Sequence, residues 1–220
     1  MPDTAPRVVV LDYGSGNLRS AERALAAAGA AVAVTADLAA AATADGLVVP
    51  GVGAFAACMA GLEALGAGPV IAARVAAGRP VLGICVGAQV MFDGGAEHGV
   101  DTPGLGLLPG TVTRLAAARV PHMGWNTVRV PAGSRLGARD GDRFYFVHSY
   151  AAQDLGALRA TGALVTTGTH DVPFAAAVEW GALTVTQFHP EKSAGTGAAL
   201  LRAWTAGLPA AIPTAPAPAP

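Results

Sequence analysis

The stretch Val81-Leu82-Gly83-Ile84-Cys85-Val86-Gly87-Ala88-Gln89 decides how the chain is read. An apolar strand runs straight into Gly-x-Cys-x-Gly, the form of a nucleophile elbow, in which a sharp strand-to-helix turn lifts a nucleophile out of a parallel sheet. Such a turn cramps the backbone, so small neighbours such as Gly83 and Gly87 are needed. A helix starting at the cysteine points its positive end at the sulfur, which favours thiolate over thiol. The run Gln187-Phe188-His189-Pro190-Glu191-Lys192-Ser193 supplies a base and an orienter. Pro190 stiffens the turn and holds His189 extended. Side chains two apart in extended chain share a face, so Glu191 is expected to reach His189 and fix its tautomer. Together Cys85, His189 and Glu191 read as an acyl-transfer triad.

Upstream of the elbow the chain alternates strand and helix. Residues 7–13 read as a buried strand and 18–28 as a helix with Gly29 just past its end. Residues 31–35 and 46–50 read as strands, 37–44 as a short helix, 54–65 and 69–77 as helices, and 80–84 as the strand entering the elbow. Continuous apolar strands in this rhythm predict an α/β fold, a mostly parallel sheet with helices on both faces. Past Gly94 the pattern changes. Strands are expected at 112–115, 125–130, 144–150, 163–169, 175–179 and 183–188, with short turns between them that imply antiparallel pairing. A last helix, 197–206, packs back on the core. The whole reads as one domain over residues 1–208 followed by a disordered Ala/Pro-rich tail, 209–220.

Composition narrows the function classes. Hydrophobic residues make up 52% and charged residues 13%, but the excess is mostly alanine. The longest uncharged stretch in the body of the chain, residues 46–62, is interrupted by Pro50 and several glycines and is too short to span a bilayer. Residues 1–6 carry no basic-then-apolar signal, so the expected compartment is the cytoplasm. A net charge of −1 with no basic block leaves no footprint for nucleic acid. Cys58 and Cys85 form no metal pattern and are expected to stay reduced.

Each candidate has a plainer reading. Most cytoplasmic cysteines are small core residues, and Cys58, at an apolar helix position without an elbow, is assigned to packing. A lone histidine is more often structural than catalytic. What separates Cys85 and His189 from these cases is that both fall at strand ends with the partners their chemistry needs. A third piece, Pro50-Gly51-Val52-Gly53-Ala54-Phe55, follows a strand directly. Acyl transfer needs backbone N–H donors aimed at a developing oxyanion, and glycines flanking Val52 let that peptide turn over. The run lacks Gly-Lys-Ser/Thr, which argues against a phosphate loop.

These runs, with Asp12-Tyr13-Gly14-Ser15-Gly16-Asn17-Leu18, Pro121-His122-Met123-Gly124-Trp125-Asn126 and Val147-His148-Ser149-Tyr150, carry a resemblance over nearly the whole chain. The chain resembles the class I glutamine amidotransferases and, within them, is similar to the glutaminase subunits of imidazole glycerol phosphate synthases. Val86 and Ala88 stand where Leu and Met are more usual in that family. The resemblance implies a flavodoxin-like three-layer fold, no cofactor, and a Cys85 thiolate attacking the side-chain amide of L-glutamine. His189 would protonate the leaving ammonia and then activate water, with Glu191 orienting it. The N–H groups of Val52 and Val86, with Gly53 beside them, would form the oxyanion hole. Gly51, Gln89, His148, Ser149 and Tyr150 would hold the amino-acid head of the substrate. The implied partner is a cyclase subunit with a β/α barrel (HisF-type), joined as a heterodimer, which receives the ammonia and makes imidazole glycerol phosphate and an aminoimidazole carboxamide ribotide.

Lys192 is the only lysine among fourteen basic residues and stands beside the triad. It is expected on the partner face with Asn17, Met123, Trp125 and Asn126, with Trp125 as anchor or, equally, as a core or strand-face aromatic. A wasteful glutaminase would drain glutamine, so the resting Gly51–Val52 peptide is expected to present its carbonyl, not its N–H, to the site. Other readings remain at this stage: a stand-alone hydrolase of γ-glutamyl bonds, a silent scaffold of the same fold, or a glutaminase serving chorismate or carbamoyl phosphate synthesis.

Overall fold

The computed structural model describes residues 5–209. The tail expected over 209–220 lies outside the described residues from position 210 onward.

The first half builds β1 (Arg7–Leu11), α1 (Leu18–Ala27), β2 (Ala31–Thr35), α2 (Leu38–Thr43), β3 (Gly46–Gly51), α3 (Phe55–Leu65), α4 (Ala67–Ala76), β4 (Val81–Cys85) and a single turn of helix, α5 (Val86–Gln89). The second half adds β5 (Phe92–Glu97), β6 (Val100–Pro103), β7 (Leu108–Arg114), β8 (His122–Arg129), β9 (Arg143–His148), β10 (Tyr150–Ala152), α6 (Leu155–Ala160), β11 (Leu164–His170), β12 (Val172–Trp180), β13 (Leu183–Thr186) and α7 (Ala194–Ala206). A 3-10 turn, Pro190–Lys192, links β13 to α7.

Nine strands form one sheet in the order β2-β1-β3-β4-β13-β12-β11-β8-β9. The first five are parallel, in the doubly wound 2-1-3-4-5 order of flavodoxin-like folds. The remaining four are antiparallel, as the short turns of the second half imply. The runs Val8–Leu11, Leu47–Val49 and Val81–Ile84 are buried throughout, because helices cover the parallel strands on both faces. α1 packs on α7, and α2 and α3 pack on α4.

Burial explains one residue the sequence does not single out. Arg74, 2% exposed, donates to the carbonyls of Ala41, Ala42, Ala44 and Pro80. It thereby closes the carbonyl end of α2, which no glycine cap terminates.

The sequence reading missed three elements. β5 and β6 form a hairpin in a second, four-stranded sheet, β10-β7-β5-β6, and α6 is a short helix capped by Asp154. The strand expected over 144–150 is really two: β9 ends at His148 and pairs with β8, whereas β10 begins at Tyr150 and pairs with β7. Ser149 is the point at which the chain changes sheet. Among the described residues no single helix is long and apolar enough to cross a membrane; α3 and α4 together would be, but the chain turns by 89° between them at Gly66.

Candidate active site

Cys85 ends β4 with φ 56° and ψ −114°, the left-handed strain expected of a nucleophile elbow. The elbow is possible because backbone packs on backbone there. A Cβ on Gly83 would lie 2.7 Å from the Gly87 carbonyl oxygen, and one on Gly87 would collide with the Val49 carbonyl. The helix that follows is only one turn long, so its dipole is weaker than the sequence reading expects. Its first N–H groups, Val86 foremost, have no intrahelical acceptor.

His189 and Glu191 are 5% and 3% exposed at their side chains, and Nδ1 of His189 lies 2.8 Å from Oε1 of Glu191. The contact forms as expected but for another reason. His189 is extended, whereas Pro190 begins a 3-10 turn that swings Glu191 back beneath the ring. The other Glu191 oxygen is buried and finds no donor among the described residues, so the carboxylate spends its charge on His189. Burial pulls the His189 imidazolium down, but the Cys85 sulfur and the Glu191 carboxylate outweigh it and lift the ring to about 9. Ser193 pins the segment: its hydroxyl donates to the His189 carbonyl at 2.7 Å and accepts from the Tyr145 N–H at 3.0 Å.

A cavity of about 460 Å³ opens over the triad, lined by Val52, Gly53, Cys85, Val86, Gln89, Ser149 and Tyr150 among others. It also receives Glu97, His98 and Arg114, which sequence reasoning missed. They come from the small sheet, whose polar, glycine-rich β5 gave no apolar signal. Gly51 pairs with Cys85 across the parallel ladder and does not line the cavity. Gln89 spends Nε2 on the Tyr150 carbonyl and the Gln187 Oε1, both at 2.9 Å. The Gln187 Nε2, in turn, is 3.9 Å from the Cys85 sulfur.

One expectation needs correction. The His148 ring is turned into the core, where both ring nitrogens are spent on His122 and the Tyr150 carbonyl, so it supports the cavity wall and offers no ring nitrogen to a substrate. The Val52 N–H, as expected of the resting peptide, is not aimed at Cys85. It donates to the Ser15 hydroxyl at 3.1 Å, and that hydroxyl donates to the Val52 carbonyl at 2.9 Å. The Gly51 carbonyl, antiparallel to this N–H in one planar peptide, points away from Ser15. Cys58 is fully buried as expected, yet it also touches the clamp, with its sulfur 3.2 Å from the Ser15 hydroxyl. Burial pushes the Cys58 thiol up and keeps it protonated.

On β8, Met123 and Trp125 share the outer face, 63% and 44% exposed, which removes the core reading of Trp125. Lys192 is exposed at the cavity mouth and Asn17 is exposed at the start of α1. Asn126 departs from this group. Its side chain lies on the opposite face of β8, bonded to His122 and the Thr169 carbonyl.

Comparison with known proteins agrees with this architecture. A match to the family "Glutamine amidotransferase class-I" spans residues 9–205. The chain is 63% identical over 207 residues to the imidazole glycerol phosphate synthase subunit HisH of Mycobacterium tuberculosis (strain ATCC 25618 / H37Rv), covering 93% of this chain and 100% of that one. It is 57% identical over 210 residues to the same-named subunit of Thermobifida fusca (strain YX), covering 92% and 99%. A solved glutamine amidotransferase superposes with a TM-score of 0.70 at 22% identity, covering 91% of this chain and 99% of that one, a likeness of fold. By the extent of that match and the identity of those relatives, this chain belongs to the class I glutamine amidotransferase family.

Proposed function

We propose that the chain is the glutaminase subunit of an imidazole glycerol phosphate synthase and works in histidine biosynthesis in the cytoplasm. Its nearly full-length identity to subunits of that name supports the assignment. The observation that carries the chemistry is the buried Cys85–His189–Glu191 arrangement under a cavity large enough for one glutamine. The Cys85 thiolate attacks the amide carbon of glutamine. His189, held as imidazolium by Cys85 and Glu191, gives its proton to the departing nitrogen, and ammonia leaves a γ-glutamyl thioester. Neutral His189 then takes a proton from water, which attacks the thioester, and glutamate departs as the thiol re-forms. The Val86 N–H stabilises the oxyanion, joined by the Val52 N–H once that peptide turns over.

The ammonia would pass to a β/α-barrel cyclase subunit docked over Met123, Trp125, Val52 and Lys192, all exposed, the last two at the cavity. The reading is tested by glutamine hydrolysis by the chain alone and with a cyclase subunit plus an acceptor-site ligand, with Cys85→Ala as control. Turnover near zero alone and raised by orders of magnitude in the complex is expected. Full turnover alone, lost in Cys85→Ala, would favour a free-standing glutaminase or γ-glutamyl hydrolase.

A further inference from the structure

Behind the cavity wall runs a chain of polar side chains that the reaction does not use. Nδ1 of His148 lies 3.0 Å from the Tyr150 carbonyl. Nε2 of the same ring lies 2.9 Å from Nδ1 of His122, and Nε2 of His122 lies 3.1 Å from Nδ2 of Asn126. His122 and His148 are 5% and 6% exposed.

The polarity of this chain follows from its ends. A carbonyl only accepts, so His148 carries its proton on Nδ1. With the ring neutral, its Nε2 is an acceptor and takes the Nδ1–H of His122. The His122 Nε2 then accepts from the Asn126 amide, whose Nδ2 also donates to the Thr169 carbonyl at 2.8 Å. Each of these ring nitrogens is satisfied, and in one direction only. The surroundings favour the uncharged form. Burial pushes His122 to about 4 and His148 to about 3. His170, stacked on His122 from β11 at 4.3 Å, repels a proton on either ring, and His189 adds to this at His148. The remaining neighbours are the rings of Phe146 from β9 and Phe174 from β12, and among the described residues no carboxylate hydrogen-bonds either imidazole.

The receiving end matters because Tyr150, the first residue of β10 after the chain changes sheet at Ser149, lines the cavity. Its carbonyl accepts from both His148 and Gln89 and so fixes the wall against which a substrate head-group would sit. We propose that His122 and His148 are positioning residues for the glutamine pocket, acting through a one-way hydrogen-bonded chain from Asn126 to the Tyr150 carbonyl. The proposal rests on the glutaminase reading only for the identity of the substrate.

Replacing Asn126 by Asp tests the direction of the chain. A carboxylate only accepts, so His122 must place a proton on Nε2. At high pH the neutral His122 then presents a bare Nδ1 to His148. The His148 proton moves to Nε2, leaving its Nδ1 lone pair facing the Tyr150 carbonyl. At lower pH a second proton on His122, stabilised by the new carboxylate, restores donation toward His148 and the wall.

The complex of Asn126→Asp with its cyclase subunit should therefore show a KM for glutamine raised on the order of fivefold at pH 8.5, the scale of one lost hydrogen bond. KM should fall toward wild type at pH 6.5, with kcat changed less than KM. Long-range 1H–15N spectra of the wild-type chain should show both imidazoles as Nδ1–H tautomers. A KM in Asn126→Asp that is unchanged, or raised equally at both pH values, would overturn the proposal, as would an Nε2–H tautomer at either wild-type ring. If the wild-type complex failed to hydrolyse glutamine, the glutaminase reading would fall, and the tautomer spectrum would still decide whether the chain exists.

Discussion

Ser15 holds Val52 on both sides. Its hydroxyl accepts the Val52 N–H at 3.1 Å and donates its single proton to the Val52 carbonyl at 2.9 Å. On the proposed mechanism the Val52 N–H must leave this arrangement before it can serve Cys85, so the clamp would set the cost of activation. Neutral hydrogen bonds contribute about 1 kcal/mol each, and less where water replaces them, as it can at this exposed loop. Ser15→Ala should thus shift the balance toward the turned peptide by about 1–2 kcal/mol, or roughly 5–30-fold. If turnover without partner is limited by the turned fraction, basal glutamine hydrolysis should rise by that factor. If docking of the proposed partner turns the peptide, the rate of the fully stimulated complex should hardly change. Ser15→Thr keeps the hydroxyl and should stay near wild type. The assay is steady-state glutamate release by free chain and by complex, with circular dichroism to confirm folding. Basal turnover equal to or below wild type in a folded Ser15→Ala chain would refute the reasoning.

Gly87→Ala should lower glutamine turnover by on the order of 100-fold, because its Cβ would collide with the Val49 carbonyl oxygen and the elbow must shift by about an ångström or more; near-normal kcat would contradict the packing argument. Arg74→Met takes the guanidinium from four carbonyls, of which Ala44 keeps Arg79 and Pro80 keeps the Leu47 N–H; the loss at Ala41 and Ala42 should cost about 2–4 kcal/mol, read by calorimetry as a Tm lower by on the order of 5–10 °C. By proton NMR, His122 and His148 should stay neutral down to about pH 5, while His189 should titrate near 9. Folded values below the unfolded one mean that His122 and His148 withdraw stability as pH falls below about 6.5; His189, held above it, contributes stability that is lost as pH rises from about 6.5 toward 9. Lys192→Ala should weaken the stimulation of glutaminase by the cyclase subunit, and unchanged coupling would remove Lys192 from the docking face.

The parts of the fold that were legible in the sequence are those in which one signal dominates. Val8–Leu11, Leu47–Val49 and Val81–Ile84 are buried on both faces, so an unbroken apolar run sufficed to place them. The elbow was legible because its glycines are dictated by backbone contact. β5 was not: Gly94 and Gly95 owe their strand to pairing with β6 and β7, a tertiary effect that leaves no periodicity. The same cause hid Glu97, His98 and Arg114 from the list of cavity residues. The roles of Ser15 and of His122 were illegible for another reason. Each depends on which neighbour its polar atoms face, and a run such as Pro121-His122-Met123 does not say whether the histidine points inward.

The doubly wound order itself explains why these devices meet at one place. In a 2-1-3-4-5 sheet the crevice opens at the carboxyl ends of β1 and β3, where the chain turns to opposite sides. Ser15 follows β1 and Val52 follows β3, so the clamp spans that switch point, and Cys85 ends the next strand along. The antiparallel extension then brings β9 beside the His189–Ser193 segment, through the His189 N–H to the Tyr145 carbonyl and the Tyr145 N–H to Ser193. Its neighbour β8 carries His122 on the inner face and Met123 and Trp125 on the outer. A partner that docks on Trp125 therefore presses on the strand that holds the imidazole chain, and one that docks on Val52 presses on the clamp. The two routes are separable. Ser15→Ala should alter basal kcat with little effect on glutamine KM, and Asn126→Asp should do the reverse. A variant set in which both parameters moved together at both positions would mean that the clamp and the wall are one rigid unit.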